Sequence, residues 1–88
     1  MCTWITEVTQ VAGSGKGTTD WTPLTRAAVY YDHPQHAPLD HALIIDFANE
    51  SLGTGARVVV ELTAASARDL VQAIQSALAS GVDAHALA

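Results

Sequence analysis

Apolar and polar residues alternate over four separate stretches of the chain, and in a fifth the apolar ones recur every three to four residues. Residues 3–12 (TWITEVTQVA) are rich in Thr, Val, Ile and Trp, types that suit a pleated strand. Trp4, Thr6 and Val8 alternate there with Ile5 and Glu7, and neither side is cleanly polar. Residues 24–32 (LTRAAVYYD) put Ala27, Val29 and Tyr31 on one face and Arg26, Ala28, Tyr30 and Asp32 on the other. Residues 40–49 (DHALIIDFAN) align Leu43, Ile45 and Phe47, with His41 on the same parity, against Ala42, Ile44, Asp46 and Ala48. In residues 56–62 (ARVVVEL), Val58, Val60 and Leu62 stand opposite Arg57, Val59 and Glu61. All four read as strands.

After Thr63 the period changes. Ala67, Leu70, Val71, Ile74, Ala77 and Leu78 form one apolar stripe, and Arg68, Gln72, Gln75 and Ser76 take the wet side. Thr63 can cap the free N–H groups of this helix, and Ser66-Ala67-Arg68-Asp69 offers a second cap about a turn later. Gly81 is expected to stop it, leaving residues 82–88 as a tail. The order β-β-β-β-α predicts an α+β fold: a four-stranded antiparallel meander followed by one C-terminal amphipathic helix, which can cover one face of the sheet.

Between these elements lie turns. Residues 13–19 (GSGKGTT) are expected to form a hairpin loop, as are residues 50–55 (ESLGTG). The first does not fit a phosphate loop: Gly17, not Ser or Thr, follows Gly15-Lys16, and Gln10 stands where the motif needs its first glycine.

Composition narrows the function. A chain of 88 residues makes one domain, residues 1–88, with a marginal core that a metal or a partner subunit often supplements. Nearly half of the residues are hydrophobic (49%), which favours a homodimer or higher homo-oligomer that hides part of this surface. The net charge is −5, and the four cations (Lys16, Arg26, Arg57, Arg68) are scattered, so no nucleic-acid partner is expected. No apolar run approaches the roughly 20 residues that cross a bilayer. No basic segment followed by an apolar core opens the sequence, so a signal peptide is not expected and the cytoplasm is the expected location. One cysteine, Cys2, excludes an intrachain disulfide.

The candidate chemistry sits between the second and third strands. Asp32-His33-Pro34-Gln35-His36-Ala37-Pro38-Leu39-Asp40-His41 holds three of the four histidines within nine residues, stiffened by two prolines. Imidazole is a common ligand for zinc and iron, so His33, His36 and His41 are candidate ligands of a divalent transition metal, zinc first and iron second. Three histidines with an open position make a catalytic type of site, and Cys2 as a fourth ligand would make a closed, structural one. Asp32, Asp40, Glu7 and Glu61 are candidate carboxylate ligands or partners that orient the imidazoles. Any one histidine in a polar loop is most often solvated or paired with a carboxylate. A ligand-binding or acid–base role, and no chemistry at all, therefore stay open beside the metal. Cys2 near a terminus reads first as a small apolar residue, His85 as an exposed bystander. Asp46 lies inside an apolar strand and, if buried, needs a partner such as Arg57. Trp4, Trp21, Tyr30 and Tyr31 suit core or interface packing more than a ligand pocket.

Four motifs add a resemblance. Residues 1–7 (MCTWITE), 11–17 (VAGSGKG), 31–43 (YDHPQHAPLDHAL) and 56–62 (ARVVVEL) resemble a family of short bacterial proteins of unknown function that share Met-Cys-Thr-x-Ile-Thr-Glu and Asp-His-Pro-x-His-Ala-Pro-Leu-x-His. The resemblance covers nearly the whole chain. It implies that Cys2, His33, His36 and His41 belong to the family pattern, which favours the metal, and it implies no activity. Two functions follow from the residues. One is a metal-binding protein; if it is an enzyme, the ion would act on a small molecule as a Lewis acid or through an activated water. The other is a non-enzymatic dimeric interaction or small-ligand module, with no metal or only a structural one.

Overall fold

A computed structural model describes residues 5–17, 20–53 and 55–85. Four strands, β1 (Ile5–Lys16), β2 (Trp21–Asp32), β3 (Ala42–Ala48) and β4 (Arg57–Leu62), form one antiparallel sheet in chain order, and helix α1 (Ala64–His85) follows. This is the expected α+β meander with a C-terminal helix.

The register sorts the side chains cleanly across β2, β3 and β4. Tyr31 pairs with Leu43 and Leu43 with Leu62; Val29, Ile45 and Val60 form the next row, and Ala27, Phe47 and Val58 the third. Paired residues share a face, so across β2, β3 and β4 one side carries three apolar rows, two of which β1 extends with Glu7 beside Val29 and Thr9 beside Ala27. The rows on the other side are Tyr30–Ile44–Glu61, Ala28–Asp46–Val59 and Arg26–Ala48–Arg57. This second side is the polar face. The charged partners anticipated for Asp46 meet on it: Arg57 donates to both carboxylate oxygens of Asp46, with Nε to Oδ1 at 3.1 Å.

β1 runs four residues beyond its expected end, through Gly13 and Gly15 to Lys16. A one-residue bulge lies between Gln10 and Gly13, where β1 uses three steps against two in β2. Such bulges bend the strand and increase its twist. Here the bend curls the far end of the hairpin over the apolar face. A Cβ on Gly15 would stand 2.7 Å from Leu24 Cδ1 and 3.2 Å from Val58 Cγ2. Gly15 and Val58 belong to the two edge strands, so only glycine allows this approach across the curl. Asn49 fastens the same end. Its Nδ2 donates to the Pro23 carbonyl (3.1 Å), and its Oδ1 caps a short 3-10 turn, Glu50–Leu52, by accepting from Ser51 N (3.1 Å). Gly53 closes that turn with φ +85°, a backbone state in which other residues are strained.

The helix starts one residue after β4. Thr63 is the cap in use: its Oγ1 accepts from Ser66 N at 3.0 Å, so the alternative cap at Ser66 is not taken. Ala64, Ala67 and Arg68 line a shallow cleft with Tyr31 and Leu43 at the edge of the apolar face. From there the helix departs from the sheet instead of covering it. Leu70, Val71, Ile74, Leu78 and Val82 stay 41–60% exposed. The one-residue link explains this, because βα connections that fold back commonly use two to six residues. The radius of gyration, 14.7 Å, exceeds the roughly 12 Å of a compact chain this long. Gly81 does not end the helix. Its backbone stays helical and α1 continues to His85, since glycine inside a helix costs only about 1 kcal/mol against alanine.

Among the described residues the buried apolar set is mostly alanine (Ala27, Ala28, Ala42, Ala48, Ala56) with Leu24 and Ile44. Small side chains on a single sheet are shielded by larger neighbours, and among the described residues they make up most of the core.

Candidate functional site: the histidine loop

Pro34 interrupts β2, and the chain crosses to β3 through residues 33–41. Two groups of contacts hold the crossing, one on each side of the sheet.

On the apolar side, His41 continues the parity of Leu43, and its ring stacks on Tyr31 with centroids 5.6 Å apart at 15°. The His33 ring lies next to it, 4.6 Å away at 31°. From the other face of β2, the buried Asp32 carboxylate accepts from the His33 backbone N–H at 2.7 Å. His33 Nδ1 lies 2.8 Å from the Asp40 carbonyl oxygen. A carbonyl only accepts, so in the neutral ring Nδ1 carries the proton and Nε2 keeps its lone pair. This is the arrangement in which an imidazole is held ready to donate through Nε2.

On the polar side, Glu61 gathers the middle of the loop. Its carboxylate accepts from three successive backbone N–H groups: Gln35 (2.6 Å), His36 (3.1 Å) and Ala37 (2.8 Å). These bonds, those from Ala37 and Gln35 foremost, hold the Glu61 carboxyl below the usual carboxylate range. His36 lines an open pocket here with Gln35, Ala37, Val59 and Glu61.

The loop therefore divides the three sequence candidates. His33 and His41 come together on the Tyr31 side, and His36 goes to the Glu61 side. Among the described residues no three His, Cys, Asp or Glu side chains converge as a metal ligand set. Cys2 lies outside the described residues. The role of Glu61 as the latch of the loop was not legible in the sequence. It stands at an ordinary polar position of an alternating strand, and three consecutive N–H groups converge on it only once Pro34 has turned the chain. Asp40 supplies a carbonyl, not its carboxylate, to His33.

The fold and this loop define a small α+β protein built on a single curled sheet, with a histidine loop clamped at one end. No helix of the described residues is long and apolar enough to cross a membrane. The chain belongs to DUF6295, a family of unknown function whose model matches residues 1–88. No curated protein and no solved structure matches the chain significantly.

Proposed function

We propose that the protein is a cytoplasmic binding module that takes up a divalent transition metal, zinc before iron, through His33 and His41. The observation that carries this reading is the pair of adjacent imidazoles, one of them with Nδ1 fixed on the Asp40 carbonyl and Nε2 left as a donor. Two histidines supply part of the coordination shell that zinc takes. Cys2 is the further ligand in this proposal. It is tethered three residues before Ile5, which pairs with Tyr31, a span of at most about 10 Å. His36 belongs to the latch and not to the ligand set. When bound, the metal would act as a Lewis acid or a structural clip, and the chain's own residues orient the imidazoles and tie down the loop.

Metal content by elemental mass spectrometry, on protein purified without a histidine tag, tests this. About one metal per chain is expected, lost when His33 and His41 are changed to alanine together and reduced by Cys2→Ser. His36→Ala should retain it. Protein that carries no metal and takes up neither zinc nor iron(II) would overturn the proposal. The second reading is a metal-free interaction module, favoured by the lack of a third converging ligand among the described residues. The same measurement separates the two.

A further inference from the structure

Two apolar surfaces of this chain are left open, and they match. One is the apolar face of the sheet, with the rows Tyr31–Leu43–Leu62 and Val29–Ile45–Val60 open and the third, Ala27–Phe47–Val58, closed in part by the curled end of the hairpin at Val58. Apart from Ala27 these residues are all partly or largely accessible. The other is the helix beyond its first turns, where Ile74 is 50% and Leu78 60% exposed.

We infer that the helix of each copy lies across the apolar sheet face of a second copy, giving a reciprocal arm-exchanged homodimer. Three features carry this arrangement and none depends on the metal reading.

Charge is the first. Residues 70–82 (LVQAIQSALASGV) contain no Asp, Glu, Lys or Arg. A solvated helix normally carries charges on its wet face, so an uncharged, protruding one suits burial. The rows as they cross β2, β3 and β4 are free of these residues as well; Glu7, which pairs with Val29, extends the middle row onto edge strand β1 and is exposed there, so an arm laid over β2–β4 buries no unpaired ion.

Dimensions are the second. Residues 70–82 span about 18 Å of helix, and the seven-residue β3 spans about 20 Å, so one arm laid along β3 crosses all three rows of the face. Five aliphatic side chains on each arm expose at least two-fifths of their area. Two such arms and the two faces they cover form an interface on the order of 1,500 Å², the size that stable complexes use.

Closure is the third. The one-residue link at Thr63 sends each helix away from its own sheet, and pairing helix with helix would leave both sheet faces bare. Reciprocal exchange covers both surfaces with one two-fold contact, which forms a closed dimer instead of a chain of subunits.

The test uses the full chain. Analytical ultracentrifugation should give twice the 9.2 kDa chain mass. Ile74→Glu with Leu78→Glu should reduce it to one chain while far-ultraviolet circular dichroism keeps the sheet signal, because both positions are exposed in a single copy. A wild-type mass of one chain, or a dimer unchanged by the double variant, would overturn the inference. A second measurement decides the case if that variant aggregates. Leu78 is replaced by a benzophenone amino acid, the variant is mixed with isotope-labelled wild type, and photo-adducts are mapped by mass spectrometry. Adducts on Val29, Ile45, Phe47 or Val60 of the labelled chain support the exchange. Adducts on the labelled helix, or only within the variant's own chain, overturn it.

Discussion

The two faces of the sheet handle their exposed chemistry in opposite ways. On the polar face, partners come from within the chain: Arg57 takes both oxygens of Asp46, and Glu61 takes three N–H groups of the loop. Among the described residues no buried side-chain nitrogen or oxygen lacks a hydrogen-bond partner. On the apolar face, the rows of Tyr31 and Val29 are open, the row of Val58 is closed only in part by the hairpin, and the 22-residue helix is uncovered beyond its first turns. The difference follows from the two kinds of cost. A buried polar group without a partner costs about 1–3 kcal/mol at one point, so it has to be satisfied as the chain folds. Apolar exposure costs only about 25 cal/mol per Å², spread over the surface, so a second subunit can remove it later.

Truncating the neighbours Ile44 and Ile45 sharpens this contrast most. Ile44 points to the polar face and is 4% exposed within one copy, covered by its own chain. Ile44→Ala should cost about 2–4 kcal/mol in urea unfolding, independent of protein concentration. Ile45 points to the other face, where one copy covers it only in part. Ile45→Ala should cost about 1 kcal/mol in dilute protein and rise toward the Ile44 value as concentration increases. Equal costs that ignore concentration would show that the apolar face has no partner.

The latch gives a local effect rather than a global one. The free carboxyl of Glu61 titrates near 4.5, and in the folded chain it titrates lower. A lowered folded pKa means that the bonds to Gln35, His36 and Ala37 contribute in full above the unfolded value. Their contribution fades as pH falls through the folded one, so the loop should loosen in acid below about 4.5. Glu61→Gln should do the same at neutral pH, because an amide offers one acceptor oxygen where the carboxylate offers two. Amide exchange of residues 35–37 by NMR reads both effects. Exchange that does not change in the variant would remove Glu61 as the latch.

The period-two alternation made the four strands, the faces of β2, β3 and β4 and the Asp46–Arg57 partnership legible, but not the faces of β1, where neither side is cleanly polar. An acid in an apolar strand narrows its own choice of partners. The destination of the helix was not legible in the same way. A stripe from Ala67 to Leu78 says that some apolar surface covers it, not whose, and the one-residue link at Thr63 settles the direction only in three dimensions. The glycines that look like a loop extend β1 because Gly15 is needed at a close approach to Leu24 and Val58. The His-x-x-His spacing suggested one shared site. Pro34 breaks the strand's alternation between the two histidines, so parity cannot say that His36 leaves for the Glu61 side.

The smallest expected effect tests whether the polar face is held by its charges or by its hydrogen bonds. Arg57 is half exposed, and Asp46 is mostly covered. Exposed ion pairs contribute about 0.5 kcal/mol, less as salt rises. Asp46→Asn removes the charge and keeps one acceptor for Arg57, so it should lower stability by about 0.5 kcal/mol at low salt and by less at 1 M salt. A salt-independent loss of about 2 kcal/mol would mean that the carboxylate acts as a buried acceptor, with a larger share of the sheet's stability on this face than the ion pair supplies. In a dimer closed over the opposite face the arms touch neither Asp46 nor Arg57, so Asp46→Asn should leave the mass in ultracentrifugation unchanged.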